Sequence, residues 1–464
     1  MKRRTFLRAG LVAAVLEGSR VGGIRVAFAA SASARQFESP QAYGAIGDGA
    51  SHPLSEFFPT LPAAQVVYPH AQALTDEIDW AAFQKAANQG NTRLWLDGWR
   101  RYRFNRQLLI EDGGFVLDGD KSNVFLPDMA YFTNNTRASE LGATGCIILC
   151  QGEQSGSFAP LDGIRISGFQ VDGGGPEDRR TVIVGARNVI NFQVTDLEIY
   201  DFAVGTGIYG DKITGNSKIL RNTIRDWYSD AAYGGDKQTS QSTGISIDDG
   251  DVNNQRSSGI EIGWNHILNL KKGATLLAAL GWQTDGVSIL NMVSVGHHIH
   301  DTYGENIGEL VDCFGCDNEI SNNHGIDVDA VVKIIHGASR NHVHHNRGED
   351  VKRYHLTLRG TSNGGDVHGN VIEHNYCFGI RAGRDARACI DIGDDATGYA
   401  CRDNVFKRNF LDPGTGGLAC VRSELQQGVN YSIQDKFVAA GTRGYVLGNI
   451  SALKRFVVKA AVRH

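Results

Sequence analysis

The sequence predicts an all-β fold, a parallel β-helix, from three observations. An apolar residue is followed three positions later by asparagine six times, and a degenerate copy, Ile299/Thr302, lies between the second and third. Several copies follow one another after 21 to 24 residues, which suits one short-stranded coil, and longer steps suit a coil with an inserted loop. Glycine is abundant, with 57 of 464 residues against a usual share of ~7 %. Proline is scarce, with nine residues against a usual share of ~5 %. The six copies are Ile219/Asn222, Ile262/Asn265, Ile320/Asn323, Val343/Asn346, Val367/Asn370 and Phe406/Asn409. Such coils cannot bury their apolar faces alone, so they must stack, with the asparagines forming a ladder at an internal turn.

Residues 1–30 are predicted to be an export signal, followed by a polar linker over 31–42. Arg3-Arg4 and the following Phe-Leu resemble the twin-arginine pattern, an apolar stretch runs from Ala9 to Leu16, and Ala27-Phe28-Ala29 offers a cleavage site. The apolar stretch is too short to span a bilayer. We therefore expect a periplasmic or secreted protein, exported by the twin-arginine route, with no membrane association after cleavage. The alternative is a basic N-terminus without a targeting role.

The charge balance argues against nucleic acid as a partner. The formal net charge is −5 at pH 7. Without the first 30 residues the chain has 40 basic and 50 acidic residues, so its charge falls to about −10. Proteins that bind nucleic acid through its phosphates need a basic surface instead.

The eight cysteines leave three interpretations open: small apolar core residues, disulfides, or a metal or redox pair at Cys313 and Cys316. A structural zinc site usually needs a second pair at similar spacing, and the sequence has none.

Residues 43–90 are predicted to form an N-terminal capping module. Tyr43 to Gly49 reads as a strand that runs into a glycine-rich turn, and Thr75 to Ala86 reads as a helix capped by Thr75 or Asp76. A helix in this place can cover the open end of a solenoid, which otherwise exposes core residues and strand edges.

These two segments, Tyr-Gly-Ala-x-Gly-Asp-Gly and Thr-Asp-x-x-Asp-x-Ala-x-x-Gln-x-Ala, resemble the N-terminal signature of the pectate-lyase-like superfamily. Its members are single-stranded right-handed β-helices and include polysaccharide lyases, polygalacturonase-like hydrolases, epimerases and phage tailspikes. The two halves usually nearly abut, whereas Ala50 to Leu74 intervene here. The resemblance implies a right-handed β-helix, but it leaves the reaction open because members share this module and differ in their active sites. The export signal disfavours a tailspike.

The β-helix itself is expected over 91–420. The asparagine signal fades beyond it, so residues 421–464 are expected to be irregular last strands and a C-terminal cap.

Alternation along the predicted strands indicates one outward-facing column. If Ile, Leu and Val point inward, the polar residues between them point to solvent. Neighbouring coils lie ~4.8 Å apart, which would place Glu309 and Lys333 on adjacent rungs. The members of the column are Ser246, Ser288, Glu309, Lys333, Thr357 and Asp391. Glu309 beside Lys333 has a plain alternative, an exposed ion pair of ~0–1 kcal/mol.

One chemistry that fits this column is β-elimination on a uronate. It needs a cation for the sugar carboxylate and a base for the C5 proton. Arg359 offers two-pronged carboxylate binding, and Lys333 or His336 is the candidate base, provided that its surroundings lower the lysine pKa.

The other chemistry is glycoside hydrolysis by two carboxyl groups, ~5–5.5 Å or ~6.5–9.5 Å apart according to the stereochemical outcome. Glu309 with Asp312, or Glu309 with Asp391, supplies such a pair. Asp248-Asp249 matches only one motif of the polygalacturonase-like subgroup, which is therefore disfavoured.

Further polar residues around the column are expected to bind substrate or a cation. No cofactor is certain, but calcium, which prefers oxygen ligands, is possible at Asp248, Asp249 and Asp251, or at Asp391, Asp394 and Asp395. The expected substrate-binding residues are Asp391, Thr357, Asp248, Ser288, Tyr303 and Glu305.

The sequence thus predicts an exported enzyme that cleaves an acidic, uronate-containing polysaccharide. A lyase is favoured slightly over a hydrolase. A non-catalytic polysaccharide-binding solenoid is the further alternative.

Overall fold

The structure is a computed structural model, and it describes most of the chain from Phe37 onward. The described residues are 37–119, 131–134, 146–152, 159–173, 182–202, 206–226, 243–248, 256–269, 285–290, 294–361, 365–381, 388–394, 399–425, 429–437, 446–448, 456–459 and 462–463. The predicted export signal and the first half of the linker, residues 31–36, lie outside them.

Each coil contributes one short strand to each of three all-parallel sheets, which we number I, II and III so that a coil runs from sheet I through sheet II to sheet III. A representative coil runs from Ala330–Ile335 in sheet I to His342–His344 in sheet II and Arg347–Val351 in sheet III. This is the right-handed parallel β-helix that the sequence predicts. Its core is a continuous stack of apolar side chains between the sheets.

The strands of sheet I are Leu108–Ile110, Cys146–Gln151, Val182–Ile190, Thr206–Thr214, Thr243–Ile247, Val287–Ile289, Glu309–Cys313, Ala330–Ile335, Tyr354–Gly360, Ala388–Asp394, Ala419–Glu424 and Val446–Gly448, with Leu161–Asp162 paired at one side. The strands of sheet II are Arg93–Trp95, Val116–Asp118, Arg165–Ser167, Gln193–Thr195, Lys218–Leu220, Glu261–Gly263, His298–His300, Glu319–Ser321, His342–His344, Val371–Glu373, Val405–Lys407, Asn430–Ile433 and Phe456–Lys459. The strands of sheet III are Arg101–Phe104, Tyr131–Asn134, Gln170–Asp172, Glu198–Tyr200, Thr223–Arg225, His266–Leu268, Tyr303–Glu305, His324–Ile326, Arg347–Val351, Tyr376–Ile380, Phe410–Asp412, Lys436–Phe437 and Val462–Arg463. A separate pair is formed by Val367–His368 and Cys401–Arg402.

The N-terminal module contains the expected helix, Ile78–Ala87, and a second helix, Leu61–Val67, in the segment that separates the two halves of the signature. The remaining helical turns are the 3-10 segments Pro40–Tyr43 and Leu54–Glu56. Helix Ile78–Ala87 packs Phe83 against Tyr102 and Phe104 of the first coil, with ring centroids 4.9 and 5.1 Å away. It therefore closes the first end of the apolar core.

The prediction that Thr75 or Asp76 caps that helix is wrong. Its N-cap is Glu77, which makes no side-chain capping bond. The Asp76 carboxylate instead accepts from the backbone N–H groups of Gln72 and Ala73 in the preceding turn, because the chain turns sharply there before the helix begins.

The glycine-rich turn of the signature is held by Asp79 on the helix. Its carboxylate accepts from the N–H groups of Ile46, Gly47 and Arg103. Gly47 has φ +66°, and a Cβ there would lie 2.7 Å from the Tyr102 ring, so only glycine fits. The two halves of the signature are thus one structural unit, despite the residues between them.

Asparagine ladders run along two turns of the coil, whereas the sequence predicted one. At the turn between sheets II and III, each amide bonds to the next coil, as when Asn323 Nδ2 donates to Asn346 Oδ1 at 2.9 Å. The members of this ladder are Asn222, Asn265, Thr302, Asn323, Asn346, Asn375, Asn409 and Asp435. The second ladder, between sheets I and II, consists of Asn318, Asn341, Asn370, Asn404 and Asn430.

The copy Val367/Asn370 was therefore assigned to the wrong turn. Asn370 belongs to the second ladder, and the true counterpart of Val343/Asn346 in the next coil is Ile372/Asn375. The two ladders look alike in sequence because both place an asparagine shortly after a buried apolar residue. The degenerate copy Ile299/Thr302 is confirmed, since the Thr302 N–H donates to Asn323 Oδ1.

The coils continue beyond residue 420, where irregular last strands and a C-terminal cap were expected. Strands Asn430–Ile433 and Phe456–Lys459 extend sheet II, and Lys436–Phe437 and Val462–Arg463 extend sheet III. The asparagine pattern fades there because Asp435 takes the place of an asparagine in the first ladder.

All eight cysteines are buried and none forms a disulfide, which agrees with the interpretation as core residues. In the part of the chain that the structure describes, no helix is long and apolar enough to cross a membrane.

Candidate functional site

The outward column of sheet I exists, but its third member is Asp312 and not Glu309. The strand register pairs Ser288 with Asp312, Asp312 with Lys333, and Lys333 with Thr357. The row begins with Tyr209 and Ser246 and ends with Asp391 and Arg422.

Glu309 lies three positions earlier, opposite Ala330. Leu310 and Val311 are both buried, so the simple in-and-out alternation breaks at the start of this strand. The sequence-based alignment assumed unbroken alternation, and that is why it placed Glu309 in the row.

Glu309 nevertheless approaches the row. The backbone N–H of Gly286 donates to the carbonyl of Glu309, which puts Asp285 beside Glu309 one coil earlier. Asp285 is not a member of the predicted column, and the structure adds it to the site. We call Asp285, Glu309 and Asp312 the carboxyl cluster. Lys333 and Ser288 are its immediate neighbours.

Lys333 stands between two of the three carboxyl groups. Its Nζ donates to Asp312 Oδ2 at 3.0 Å and lies 4.0 Å from Glu309 Oε1. Ser288 Oγ donates to Asp285 Oδ2 at 2.9 Å. Three acidic side chains therefore share one ammonium and one hydroxyl as neighbouring hydrogen-bond donors.

The cluster is almost fully enclosed and only partly satisfied. Asp285 and Asp312 are 0 % exposed, whereas Glu309 and Lys333 each retain 7 %. One oxygen of each carboxyl group, Asp285 Oδ1, Glu309 Oε2 and Asp312 Oδ1, is buried without a hydrogen-bond partner. Buried polar atoms are nearly always paired, so three orphaned oxygens at one place mark a functional site more often than a structural one.

The surroundings favour protonated carboxyl groups. Burial, then the charges of Asp312 and Glu309, raise the pKa of Asp285 well above its ordinary value. Burial raises the pKa of Asp312 to about 6, even though Lys333 opposes the shift. Carboxyl groups this close cannot all ionise together, so at least one keeps its proton near neutral pH.

Lys333 itself is held in the charged form. Burial acts to lower its pKa, but the neighbouring carboxylates, Asp312 foremost, outweigh burial and raise the pKa above the ordinary value. The sequence hypothesis of a lysine base needed a lowered pKa, so the structure speaks against that role. Three acidic neighbours, which the alignment did not bring together, are the reason.

His336 follows the Lys333 strand at the turn toward sheet II. Its ring packs edge-on against Phe314, with centroids 4.4 Å apart, and its Nδ1 shares a short hydrogen bond with Thr361 Oγ1. Burial, and then the charge of Lys333, lower its pKa below the ordinary histidine value. His336 is therefore a neutral imidazole beside the cluster, as the sequence hypothesis of a base requires.

Arg359 is bound to carboxylates rather than open to a substrate. Its Nε and Nη2 donate to Asp391 Oδ2 at 2.9 and 2.6 Å, and Nη2 also donates to Glu424 Oε2 at 2.9 Å. Arg422 completes this network against Asp391 and Glu424. Arg422 and Glu424 were missed because they lie beyond the predicted end of the β-helix.

Asp391 cannot pair with Glu309 across one glycosidic bond. In the row, Lys333 and Thr357 separate Asp312 from Asp391, a distance of roughly 14 Å at ~4.8 Å per coil. Thr357 Oγ1 instead donates to Asp391 Oδ2 at 3.4 Å. The hydrolytic pair of the sequence analysis that survives is Glu309 with Asp312.

Two predicted substrate-binding residues lie on another sheet. Tyr303 and Glu305 are on a strand of sheet III, where Tyr303 is in register with His266 and His324. They precede the Glu309 strand in sequence, but a turn separates the two faces. Ser288 does lie in the row, as predicted.

The calcium hypothesis is only partly within reach of the structure. Asp248 follows a strand of sheet I, near Tyr209, whose hydroxyl lies 3.5 Å from the Asp248 carbonyl. Asp249, Asp251 and Asp395 lie outside the described residues. Among the residues that the structure describes, no group of three or more His, Cys, Asp or Glu side chains is arranged to hold a metal ion.

Comparisons with known proteins support the fold. No family model matches the chain, and no curated protein matches it. Among solved structures, the catalytic domain of a GH87 α-1,3-glucanase in complex with nigerose has a TM-score of 0.55 at 9 % identity, over 82 % of this chain and 66 % of that one. The alginate lyase AlyF-OU02 in complex with G6 has a TM-score of 0.53 at 14 % identity, over 83 % and 81 %. The Dettilon tailspike protein gp208 has a TM-score of 0.53 at 14 % identity, over 91 % and 68 %. At such identities the likeness shows the fold, a parallel β-helix, and leaves the reaction to the site.

Proposed function

We propose that this protein is a carbohydrate-active enzyme that hydrolyses a glycosidic bond of a polysaccharide at the carboxyl cluster. The observation that carries the proposal is the enclosed set of Asp285, Glu309 and Asp312 around one lysine, with three unpaired oxygens. Structurally similar proteins that are named as a glucanase and an alginate lyase support a polysaccharide as substrate.

Hydrolysis needs one carboxyl group that gives a proton to the leaving oxygen and a second that activates water or attacks the sugar. Glu309 retains 7 % exposure, whereas both aspartates are fully buried, so Glu309 is the group that meets the substrate and gives a proton to the leaving oxygen. Asp285, kept protonated by burial and by its neighbours, is the proton store behind it. Asp312, with a pKa of about 6, exchanges a proton near neutral pH, and because it is fully buried it acts on a water molecule that enters the cluster.

Lys333 positions the acids. Its ammonium bonds to Asp312 at 3.0 Å and lies near Glu309, so the two carboxyl groups are oriented around one point. With Asp285 protonated, the other two carboxyl groups face a single ammonium, so the cluster offers no net positive charge to attract a sugar carboxylate. The charge of the cluster therefore favours a neutral sugar at the cleaved position, in place of the uronate expected from the sequence.

The second candidate is β-elimination, and His336 is the observation that favours it. Its lowered pKa leaves a neutral imidazole close to Lys333. In that reaction His336 removes the C5 proton of a uronate, the C4–C5 double bond forms as the C4–O bond to the leaving sugar breaks, and the leaving oxygen takes a proton from the carboxyl cluster. The Lys333 ammonium stabilises the charge that develops on the sugar carboxylate.

A panel of polysaccharides separates the candidates. The purified protein is incubated with neutral glucans of several linkages, with alginate and with polygalacturonate, and reducing ends and the ultraviolet absorbance of unsaturated sugars are followed together. Hydrolysis predicts new reducing ends without absorbance, on a neutral glucan. A rise of both signals on a uronate polymer would replace hydrolysis by elimination, and neither signal on any polymer would favour a binding solenoid.

We further propose that residues 1–30 direct export through the twin-arginine route, on the basis of Arg3-Arg4 and the apolar stretch after them. Cell fractionation checks this: a variant with both arginines replaced by lysine should stay in the cytoplasm, and an unchanged distribution would contradict the proposal.

A further inference from the structure

A second concave site lies on a different side of the coil, at the turn between sheets II and III. It is a pocket of about 580 Å³, within the range of ~300–1,000 Å³ that is usual for small-molecule sites. Its walls are Asp196, Arg221, Thr223, Trp264 and His266. None of these residues belongs to sheet I, which carries the carboxyl cluster.

Trp264 is the unusual member of this pocket. It is 46 % exposed and has φ +53°, a left-handed conformation that is costly for a bulky side chain. The corresponding turn position in neighbouring coils holds Arg221, Asp301 and Asn322 instead. The strained backbone and the exposed apolar ring of Trp264 each cost stability. A residue with both features indicates a role in binding.

The indole is braced from the protein side. The ring of His300 meets it edge to face, with centroids 4.5 Å apart at an interplanar angle of 89°. His300 is buried, whereas Trp264 faces the pocket. The indole is thus a fixed apolar platform.

The polar wall of the pocket carries balanced charge. Arg221 Nε and Nη2 donate to the two carboxylate oxygens of Asp196 at 2.9 and 2.7 Å. Because the charges of Arg221 and Asp196 cancel, the pair offers hydrogen-bond donors and acceptors to a ligand but does not attract an anion. Thr223 and His266 add further polar groups beside the platform.

The platform continues along the axis as a row of rings, which we call the aromatic rail: Trp264, His266, Tyr303 and His324. His266, Tyr303 and His324 occupy the same register position on successive strands of sheet III. Their ring centroids are 5.8 and 5.5 Å apart. A repeat of about one coil matches a long polymer lying parallel to the axis better than an isolated small molecule.

We propose that the pocket and the aromatic rail bind a neutral polysaccharide chain, with one sugar ring stacked on the indole of Trp264. A pyranose ring has an apolar face for the indole and hydroxyl groups at its rim for Asp196, Arg221 and Thr223. Balanced charge in the pocket disfavours a polyanion, and the negative net charge of the protein disfavours nucleic acid. This site does not depend on the carboxyl cluster, and it holds a glycan without cutting it.

Affinity electrophoresis in gels that contain a soluble polysaccharide tests the proposal. The full chain with Glu309→Gln, which should not cut, is compared with the same chain carrying Trp264→Ala or Trp264→Asn. The probes are neutral glucans with α-1,3, α-1,4, α-1,6, β-1,3 and β-1,4 linkages, together with alginate and single-stranded DNA. We expect one or more neutral glucans to retard the parent, and both Trp264 variants to bind roughly tenfold more weakly, as loss of one ring contact and its buried area implies.

The matched control is Trp99→Ala, which removes a tryptophan that is 60 % exposed but lies on the N-terminal coil. It should leave retardation unchanged. Trp264→Asn distinguishes binding from a structural role, because asparagine tolerates the left-handed conformation and should preserve the melting temperature. No retardation by any neutral glucan, retardation that the Trp264 variants do not alter, or retardation by alginate or DNA alone would each overturn the proposal. A protein that shows no cleavage in the polysaccharide panel but does show this binding would refute the proposed hydrolysis only.

Discussion

Lys333 has more acidic neighbours than one ammonium can neutralise. It contacts Asp312 directly and Glu309 at longer range, while Asp285 also adds to its electrostatic environment. Evolution for stability alone would replace one of these acids, since an ionised and incompletely paired buried carboxylate is costly. The cluster is better understood as a place where stability is sacrificed for reactivity.

The pH dependence of unfolding should reveal this cost. The pKa of Asp312 in the folded protein is raised to about 6, above its ordinary value of 3.8, so the contribution of this carboxyl group to stability is most favourable below about pH 4. Stability is then lost as the pH rises through about 6. We expect Asp312→Asn to be more stable than the wild type at pH 7.5, by about 1–3 kcal/mol, and nearly equal to it at pH 4. Urea unfolding at the two pH values measures the difference.

Asp317→Asn is the control for that measurement. Asp317 is exposed and paired with Arg340, whose hydrogen bond lowers its pKa, so its replacement should give no stabilisation at pH 7.5. If Asp312→Asn were destabilising at pH 7.5, the Asp312–Lys333 pair would be a stabilising ion pair and not a strained one.

Part of the outward row could be predicted from the sequence, and the prediction of Glu309 failed for a local reason. Lys333, Thr357 and Asp391 align correctly because each lies between two apolar residues that face the core, such as Val332 and Ile334 around Lys333. In the Glu309 strand the residue with such neighbours is Asp312, between Val311 and Cys313. Glu309 was misplaced by three residues because the apolar run of Leu310 and Val311 does not show from sequence which side of it carries the outward residue.

The asparagine ladders show how the elements hold one another. Asn346 is fully buried, accepts from the backbone and side chain of Asn323, and donates to Asn375 and to the Ile320 carbonyl. Each of these bonds joins one coil to another. The ladder therefore fixes the spacing of the turns.

Asn346→Ala should destabilise the protein by roughly 1–3 kcal/mol, because it leaves buried partners on both neighbouring coils without their bonds. Thermal or chemical unfolding monitored by circular dichroism measures the change.

The control for Asn346 is Asn322→Asp. Asn322 is exposed, lies next to Asn323 in the preceding coil, and has the left-handed conformation, which aspartate also tolerates. It should alter stability by no more than ~0.5 kcal/mol. Equal stabilities of Asn346→Ala and the wild type would show that the ladder contributes nothing measurable.

At the scale of elements, the sequence predicts the strands better than their grouping. The repeat identifies the turn after Ile320 and Val343 correctly, but it cannot separate Asn370 from Asn375, because two ladders obey similar spacing. The capping helix was recognised from its signature, yet the bonds of Asp79 to Ile46 and Arg103 emerge only in three dimensions.

The described part of the chain from Phe37 onward is a solenoid whose faces carry different chemistry. Sheet I carries the carboxyl cluster and the Arg359–Asp391 network, while the turn before sheet III carries the pocket with Trp264. The apolar core fixes the fold, and it was predictable because every coil repeats it. The reaction was not predictable in the same way, since it depends on a few outward side chains that the repeat does not constrain.

Turnover by Glu309→Gln tests the central claim most directly. The polysaccharide that responds in the panel is used as substrate, kcat is measured from reducing ends, and the melting temperature checks the fold. Loss of a group that transfers a proton to the leaving oxygen should lower kcat by about 100-fold or more, with the melting temperature unchanged or raised. A variant that folds normally and keeps the wild-type kcat would contradict the assignment of catalysis to the carboxyl cluster.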